Sequence, residues 1–172
     1  MAIEVTVKPF RVRVSKTRPA DTTAYAAGDV ISESATDGAG TGWTFTNVAY
    51  GEGGGGYITK ATIDYTTAQT FGATLLLFSV TPTSELDDNA GNTSPITADV
   101  DNFIGAIAFD ALVDHGTGRS YSVATPGSGQ GLPLKFQCEA ASRTIYGVLV
   151  TRDAFTPVSQ DIVSIILEGE QL

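Results

Sequence analysis

Short apolar runs separated by glycine-, proline- and asparagine-rich segments follow one another along the chain, and this pattern limits the fold more than any other feature. The runs have the length of strands, and none keeps a helical period for more than a turn or two. Many short strands punctuated by turns are typical of two packed β-sheets. We therefore predict an all-β fold, a jelly-roll-like β-sandwich of about ten strands.

The N-terminal strand shows the pattern most clearly. Val5 and Val7, and then Phe10, Val12 and Val14, alternate with other residues, and Pro9 interrupts the alternation. Further strands are expected at Gly28–Glu33, Gly42–Tyr50, Gly56–Tyr65, Phe71–Val80, Phe103–Phe109, Ser120–Ala124, Leu132–Cys138, Thr144–Thr151 and Asp161–Glu168, with one short helix at Ser94–Asp101.

A chain of 172 residues can bury one core without a disulfide or metal. The single cysteine, Cys138, excludes an intrachain disulfide, and we expect it to be a small buried apolar residue. No apolar run approaches the ~18 residues that span a membrane, and the N-terminus mixes charges into the region where a signal peptide is apolar. We expect the protein to be made and assembled in a cytoplasm, with no membrane partner.

The net charge of −9 conceals an asymmetry. Residues 1–20 hold five cations and one glutamate, whereas the remainder holds five cations and eighteen carboxylates. The acidic excess disfavours nucleic acid as a partner. We predict a basic N-terminal arm strand at residues 1–17, followed by a single β-sandwich domain at residues 18–172. The arm would contact either the protein's own acidic body or an acidic partner protein. The candidate partner-binding residues are Lys8, Arg11, Arg13, Lys16 and Arg18.

Groups that could support catalysis are few. The one histidine, His115, follows Asp114 in a turn-rich segment, and no nucleophile-elbow sequence accompanies it. One histidine and one cysteine do not make a structural zinc site. The glycine run at 51–56 lacks the Lys-Ser/Thr pair of a phosphate-binding loop. We predict no enzyme activity, no catalytic residue and no cofactor.

The acidic loop 85–101 supports an alternative function. Its side chains carry the oxygen ligands that calcium prefers, although Gly91 and Ala98 do not fit the EF-hand pattern. Aromatic residues that could stack on sugars are scarce, with Trp43 the one tryptophan. A carbohydrate-binding β-sandwich, with or without calcium, is thus the alternative from another class of function.

Two segments, Arg18–Ile31 and Thr144–Ser159, resemble a family of small structural proteins of tailed-bacteriophage virions, the capsid decoration or cement proteins. Between them Gly56–Ala61, Leu75–Phe78 and Pro82–Ser84, followed by an Asp/Asn-rich loop, fit the same order, so the resemblance covers residues 16–168. It implies a homo-oligomer, with a trimer favoured, that decorates the capsid exterior and has the major capsid protein as its partner. It carries over no catalytic residue.

The resemblance and the charge asymmetry together suggest how the protein would attach. The basic arm would lie on an acidic capsid or neighbouring-subunit surface and add a strand by edge pairing. Deleting residues 1–16 is then expected to abolish shell binding and leave the β body folded. The alternative within the virion is a tail, neck or head-fibre component.

Overall fold

The computed structural model describes residues 7–172, and ten strands in this range form two antiparallel sheets. This confirms the all-β sandwich of about ten strands. The strands are β1 (Lys8–Thr17), β2 (Trp43–Phe45), β3 (Gly55–Tyr65), β4 (Ala73–Phe78), β5 (Phe103–Phe109), β6 (Val113–Asp114), β7 (Ser120–Ala124), β8 (Leu134–Gln137), β9 (Ile145–Thr151) and β10 (Ile162–Gln171), with a 3₁₀ helix at Thr97–Asn102.

The larger sheet has six strands in the order β1-β10-β3-β7-β6, and β8 pairs with the start of β3. The smaller sheet has the order β2-β9-β4-β5. β1 pairs with β10 along its whole length without a register shift, from Lys8 opposite Gln171 to Thr17 opposite Ile162. β3 contains a bulge opposite Glu168 and Gly169. The long β3 and β10 therefore form the centre of the larger sheet.

The core lies between the two sheets and follows from the period of two along each strand. Val163, Ile165 and Leu167 of β10 point inward and are fully buried, as are Leu75 and Leu77 of β4. Burying such a side chain contributes roughly 1.5–3 kcal/mol. The opposite face of β10 carries Ser164, Glu168 and Glu170 together with two isoleucines, of which Ile162 is exposed and Ile166 half-buried.

Two loop segments, residues 20–41 and 82–92, cover the outer face of the smaller sheet, and we call them the loop layer. Val30 and Leu86 of this layer pack against Phe78, Val148 and Val150 in a second apolar cluster. A backbone bridge joins Val30 to Val150. The loop layer therefore also lies beside β9 at the edge of the smaller sheet, and it reaches the end of β1 in the larger sheet.

The expected strand at Gly28–Glu33 is wrong. The segment forms only isolated bridges at Asp29 and Val30, since Gly28 takes a φ of 95°, which breaks the extended backbone. The strand expected at Gly42–Tyr50 shortens to β2, and Asn47 beyond it has a φ of 58°. β6 was not expected, while the remaining strands lie where the sequence predicts them, within a few residues.

Residues 8–17 are not an arm, which corrects the expectation for that part of residues 1–17. Residues 1–6 lie outside the described residues. Phe10 of β1 is buried against the core, and Val12 and Val14 pack on it. Deleting residues 1–16 would thus remove most of a sheet strand, so the deleted chain is not expected to keep its fold.

Candidate interaction surface

The five predicted partner-binding cations divide into two groups. Lys8, Arg11 and Arg13 are exposed, whereas Lys16 and Arg18 are buried at the end of β1. Alternation along β1 sends Lys16 inward with the apolar residues, and Arg18 follows the last strand residue. The two buried cations therefore need partners inside the fold.

Arg18 finds its partner in Asp88, 70 residues further along the chain. Both side chains are fully buried, and Arg18 Nη2 lies 2.9 Å from Asp88 Oδ2. Tyr25 Oη donates to Asp88 Oδ1 at 2.6 Å and accepts from Arg18 Nε. Burial and the adjacent Asp88 carboxylate raise the pKa of Tyr25 above its ordinary value. The network joins the end of β1 to both segments of the loop layer.

Lys16 is held in a similar way by Glu33. Lys16 Nζ donates to Glu33 Oε2 and lies 2.9 Å from Thr41 Oγ1. Burial lowers the pKa of Lys16, opposed by the ion pair with Glu33. Burial alone would raise the pKa of Glu33, but hydrogen bonds from Lys16, Thr41 and Ser32 outweigh it and lower that pKa to about 2.

These contacts correct the prediction that all five cations bind a partner. Lys16 and Arg18 stabilise the protein's own fold, because their charged groups are buried and paired within the chain. Lys8 is exposed on the core-facing side of β1, with its Nζ 3.7 Å from the centre of the Tyr50 ring. Arg11 and Arg13 alone project from the opposite side.

Arg11 and Arg13 belong to the outer face of the larger sheet, the side turned away from the core. Arg11 Nε lies 2.9 Å from Glu168 Oε1 on β10, and Lys60 Nζ on β3 lies 3.2 Å from the other oxygen of Glu168. The hydrogen bond from Arg11 lowers the pKa of Glu168 despite partial burial. One carboxylate is thus shared by cations from the strands on both sides.

The same arrangement recurs further along the sheet at Asp64. Arg13 Nη2 lies 3.2 Å, and Arg119 Nη2 lies 2.6 Å, from Asp64 Oδ2. Arg13 Nη2 also donates to Ser164 Oγ at 2.8 Å. Asp64 is therefore shared by an edge-strand cation and a cation from the segment before β7.

A fifth cation, Lys135 of β8, completes the outer face. Lys135 lies directly opposite Tyr57 on β3, which in turn lies opposite Glu170 on β10. Side chains directly opposite in neighbouring strands share a face. Among residues 7–172, the outer face consequently carries five cations and three carboxylates. Sequence reasoning missed Lys60, Arg119 and Lys135, since only the strand order brings them beside Arg11 and Arg13.

Four of the five carboxylates in loop 85–101, all but the exposed Asp101, act as internal hydrogen-bond acceptors. Asp87 accepts from the backbone N–H groups of Gly38 and Gly40 at 2.7 and 2.6 Å. Asp99 accepts from the N–H groups of Thr83 and Ser84. Within residues 7–172 no three His, Cys, Asp or Glu side chains form a group that could hold a metal ion. This geometry does not favour the calcium-dependent alternative.

His115 and Cys138 lie apart from each other and have structural surroundings. The exposed His115 ring stacks on Tyr121 with 4.9 Å between ring centres. Asp114 accepts from the N–H of Gly116 at 2.8 Å and so stabilises the turn. Cys138 is buried, and burial raises the pKa of its thiol to about 11. Neither residue has the neighbours that would activate it.

Neither the protein-family models nor the curated proteins include a match to this chain. Across residues 7–172, none of the helical structure is long and apolar enough to cross a membrane.

Proposed function

We propose that this protein is a non-enzymatic structural protein of a tailed-phage virion, which decorates the capsid exterior and stabilises the shell through oligomeric surface contacts. The major capsid protein would be its partner. The observation that carries the proposal is the outer face of the larger sheet, where Arg11 and Arg13 join three further cations on a stiff β-surface. The resemblance of Arg18–Ile31 and Thr144–Ser159 to decoration proteins supports the same function.

The ion pairs on this face favour exchange with a partner. The side chains of Arg11 and Arg13 are 61% and 48% exposed, and exposed ion pairs are worth only about 0–1 kcal/mol. These arginines can therefore turn from Glu168 and Asp64 to carboxylates of a capsid or neighbouring subunit at little cost. A stable contact also needs roughly 800 Å² of surface on each partner, so the whole face must take part.

Co-sedimentation with purified empty capsids tests the proposal. The variant Arg11→Gln/Arg13→Gln is expected to sediment with capsids much less than the unchanged protein. The matched control Arg143→Gln/Arg152→Gln removes two exposed cations from other surfaces and should bind normally.

Circular dichroism checks that both variants keep their strands. Failure of the unchanged protein to bind capsids, or equal binding by both double variants, would contradict the proposal. Deletion of residues 1–16 would not test capsid binding, because it removes most of an edge strand whose Phe10 is part of the core.

A further inference from the structure

We infer that the outer face of the larger sheet docks on the loop layer of a second copy of this chain, so that copies associate head to tail. The inference rests on the proposed function, because it names the partner of the same face. The association of copies can be measured without a capsid. A failure of this inference can therefore be distinguished from a failure of the proposed function.

The outer face has unbalanced positive charge although the protein is acidic. Glu168 is shared by Arg11 and Lys60, and Asp64 by Arg13 and Arg119. Each carboxylate thus neutralises at most one of its two cations. Lys135 adds a fifth exposed cation, and Glu170 a third carboxylate. The face can therefore accept further carboxylates from outside the molecule.

The loop layer has the opposite charge. Residues 20–41 and 82–92 contain seven carboxylates and not one lysine or arginine. Asp87 and Asp88 are buried, and the other five are partly or fully exposed. Asp37 and Glu85 line a cleft of about 330 Å³ on this side. Lys16 and Arg18 reach the layer from β1, where they pair with Glu33 and Asp88.

Charge complementarity favours a second copy over nucleic acid. The carboxylates that match the cationic face are present in the loop layer of the same molecule. Phosphates would meet Asp64, Glu168 and Glu170 on the face itself, together with the net charge of −9. A protein surface with carboxylates spaced apart can instead place one carboxylate beside each cation and form separate ion pairs.

The positions of the two surfaces determine the kind of assembly. The outer face and the loop layer are formed by different residues, so their contact joins different patches of the two copies. Such heterologous contacts close into a ring only when the rotation between copies permits it. Otherwise they extend into an open chain. Either assembly has the outer face of one copy on the loop layer of the next.

Sedimentation velocity of the full chain tests the inference. At an ionic strength of about 0.02 M we expect the weight-average sedimentation coefficient to rise with protein concentration. At about 0.5 M it should fall to the monomer value, because salt screens contacts between exposed charges. A monomer at every concentration, or a trimer unaffected by salt, would overturn the inference.

Charge-reversal variants locate the contact. Lys60→Glu/Lys135→Glu should abolish the association, whereas Arg143→Glu/Arg152→Glu makes the same change in net charge elsewhere and should preserve it. On the other surface, Asp37→Lys should weaken the association, and its control Glu52→Lys, in the exposed turn before β3, should not. Equal effects of the variants and their controls would refute the assigned surfaces.

Mixing the two defective variants gives the sharpest outcome. Lys60→Glu/Lys135→Glu retains a normal loop layer, and Asp37→Lys retains a normal outer face. At a concentration at which each variant alone is monomeric, their mixture should form dimers and nothing longer. No dimer in the mixture would contradict head-to-tail contact. Binding of the unchanged protein to a 20-base-pair DNA duplex, lost in Lys60→Glu/Lys135→Glu, would also overturn the choice of partner.

Discussion

Replacing Asp88 by alanine should destabilise this protein more than any change to its exposed ion pairs. The Asp88 carboxylate is fully buried and accepts three hydrogen bonds, from Arg18 Nη2 at 2.9 Å, Tyr25 Oη at 2.6 Å and the Ser32 N–H at 2.8 Å. In Asp88→Ala all three donors lose this acceptor, and the Arg18 guanidinium loses its buried counter-charge.

The expected loss in the free energy of unfolding follows from the burial of Arg18 and Asp88. Removing one member of a buried ion pair costs about 3–5 kcal/mol, because the remaining charge is left uncompensated in a low dielectric. A domain of this size has roughly 5–15 kcal/mol of total stability. The variant should therefore lose a large share of its free energy of unfolding. Glu168→Ala, in the exposed pair with Arg11, should lose no more than about 1 kcal/mol.

Urea unfolding followed by circular dichroism measures both values. Should Asp88→Ala fail to fold, Asp88→Asn retains one acceptor oxygen and is expected to fold with an intermediate loss. The double variant Arg18→Met/Asp88→Leu should be more stable than Asp88→Ala, since it removes both charges of the buried pair and leaves neither one unpaired. Asp21 Oδ1 lies 3.7 Å from Arg18 Nη2, but the Asp21 side chain is 36% exposed and compensates the buried guanidinium only in part. A loss below about 1 kcal/mol in Asp88→Ala would therefore refute the reasoning.

Two further predictions concern stability. The stabilising difference between the unchanged protein and Glu33→Gln, at most about 3 kcal/mol, should be constant near pH 6. It should disappear as the pH falls from about 4.5 to about 2, since the lowered pKa of Glu33 makes its contribution a property of the ionised form. Urea unfolding at each pH measures this, and a pH-independent difference would contradict it. Gly169→Ala should lower the free energy of unfolding by about 1–3 kcal/mol, because the added Cβ would lie 2.1 Å from the Tyr57 carbonyl oxygen. The control Gly51→Ala adds a Cβ with no atom within 4 Å and should leave the free energy of unfolding unchanged in the same assay.

The sequence predicts the fold class because the signal is local. Phe10, Val12 and Val14 alternate with Arg11 and Arg13, and in the structure the apolar set points inward and the arginines outward. The same local signal misled at Gly28–Glu33. There Val30 is buried and pairs with Val150 of β9, but the pairing of this segment is confined to single bridges at Asp29 and Val30 and is too short to form a strand.

The interaction surface could be predicted only in part. Arg11 and Arg13 are visible as outward residues of a strand, but Lys16 and Arg18 look equally basic in the sequence. Their burial depends on partners far along the chain, such as Asp88, which no spacing rule connects to Arg18. Conversely, the cations of β3, β8 and the segment before β7 join the outer face only through the order of the strands.

Electron microscopy of purified particles that carry this protein tests the central claim most directly. The proposed function predicts density for the β-sandwich on the outside of the head shell, with the outer face of the larger sheet buried against the shell or a neighbouring copy. Density confined to the tail, neck or head fibres would contradict capsid decoration. An outer face fully exposed to solvent, with Arg11 and Arg13 touching no neighbour, would contradict the assigned contact.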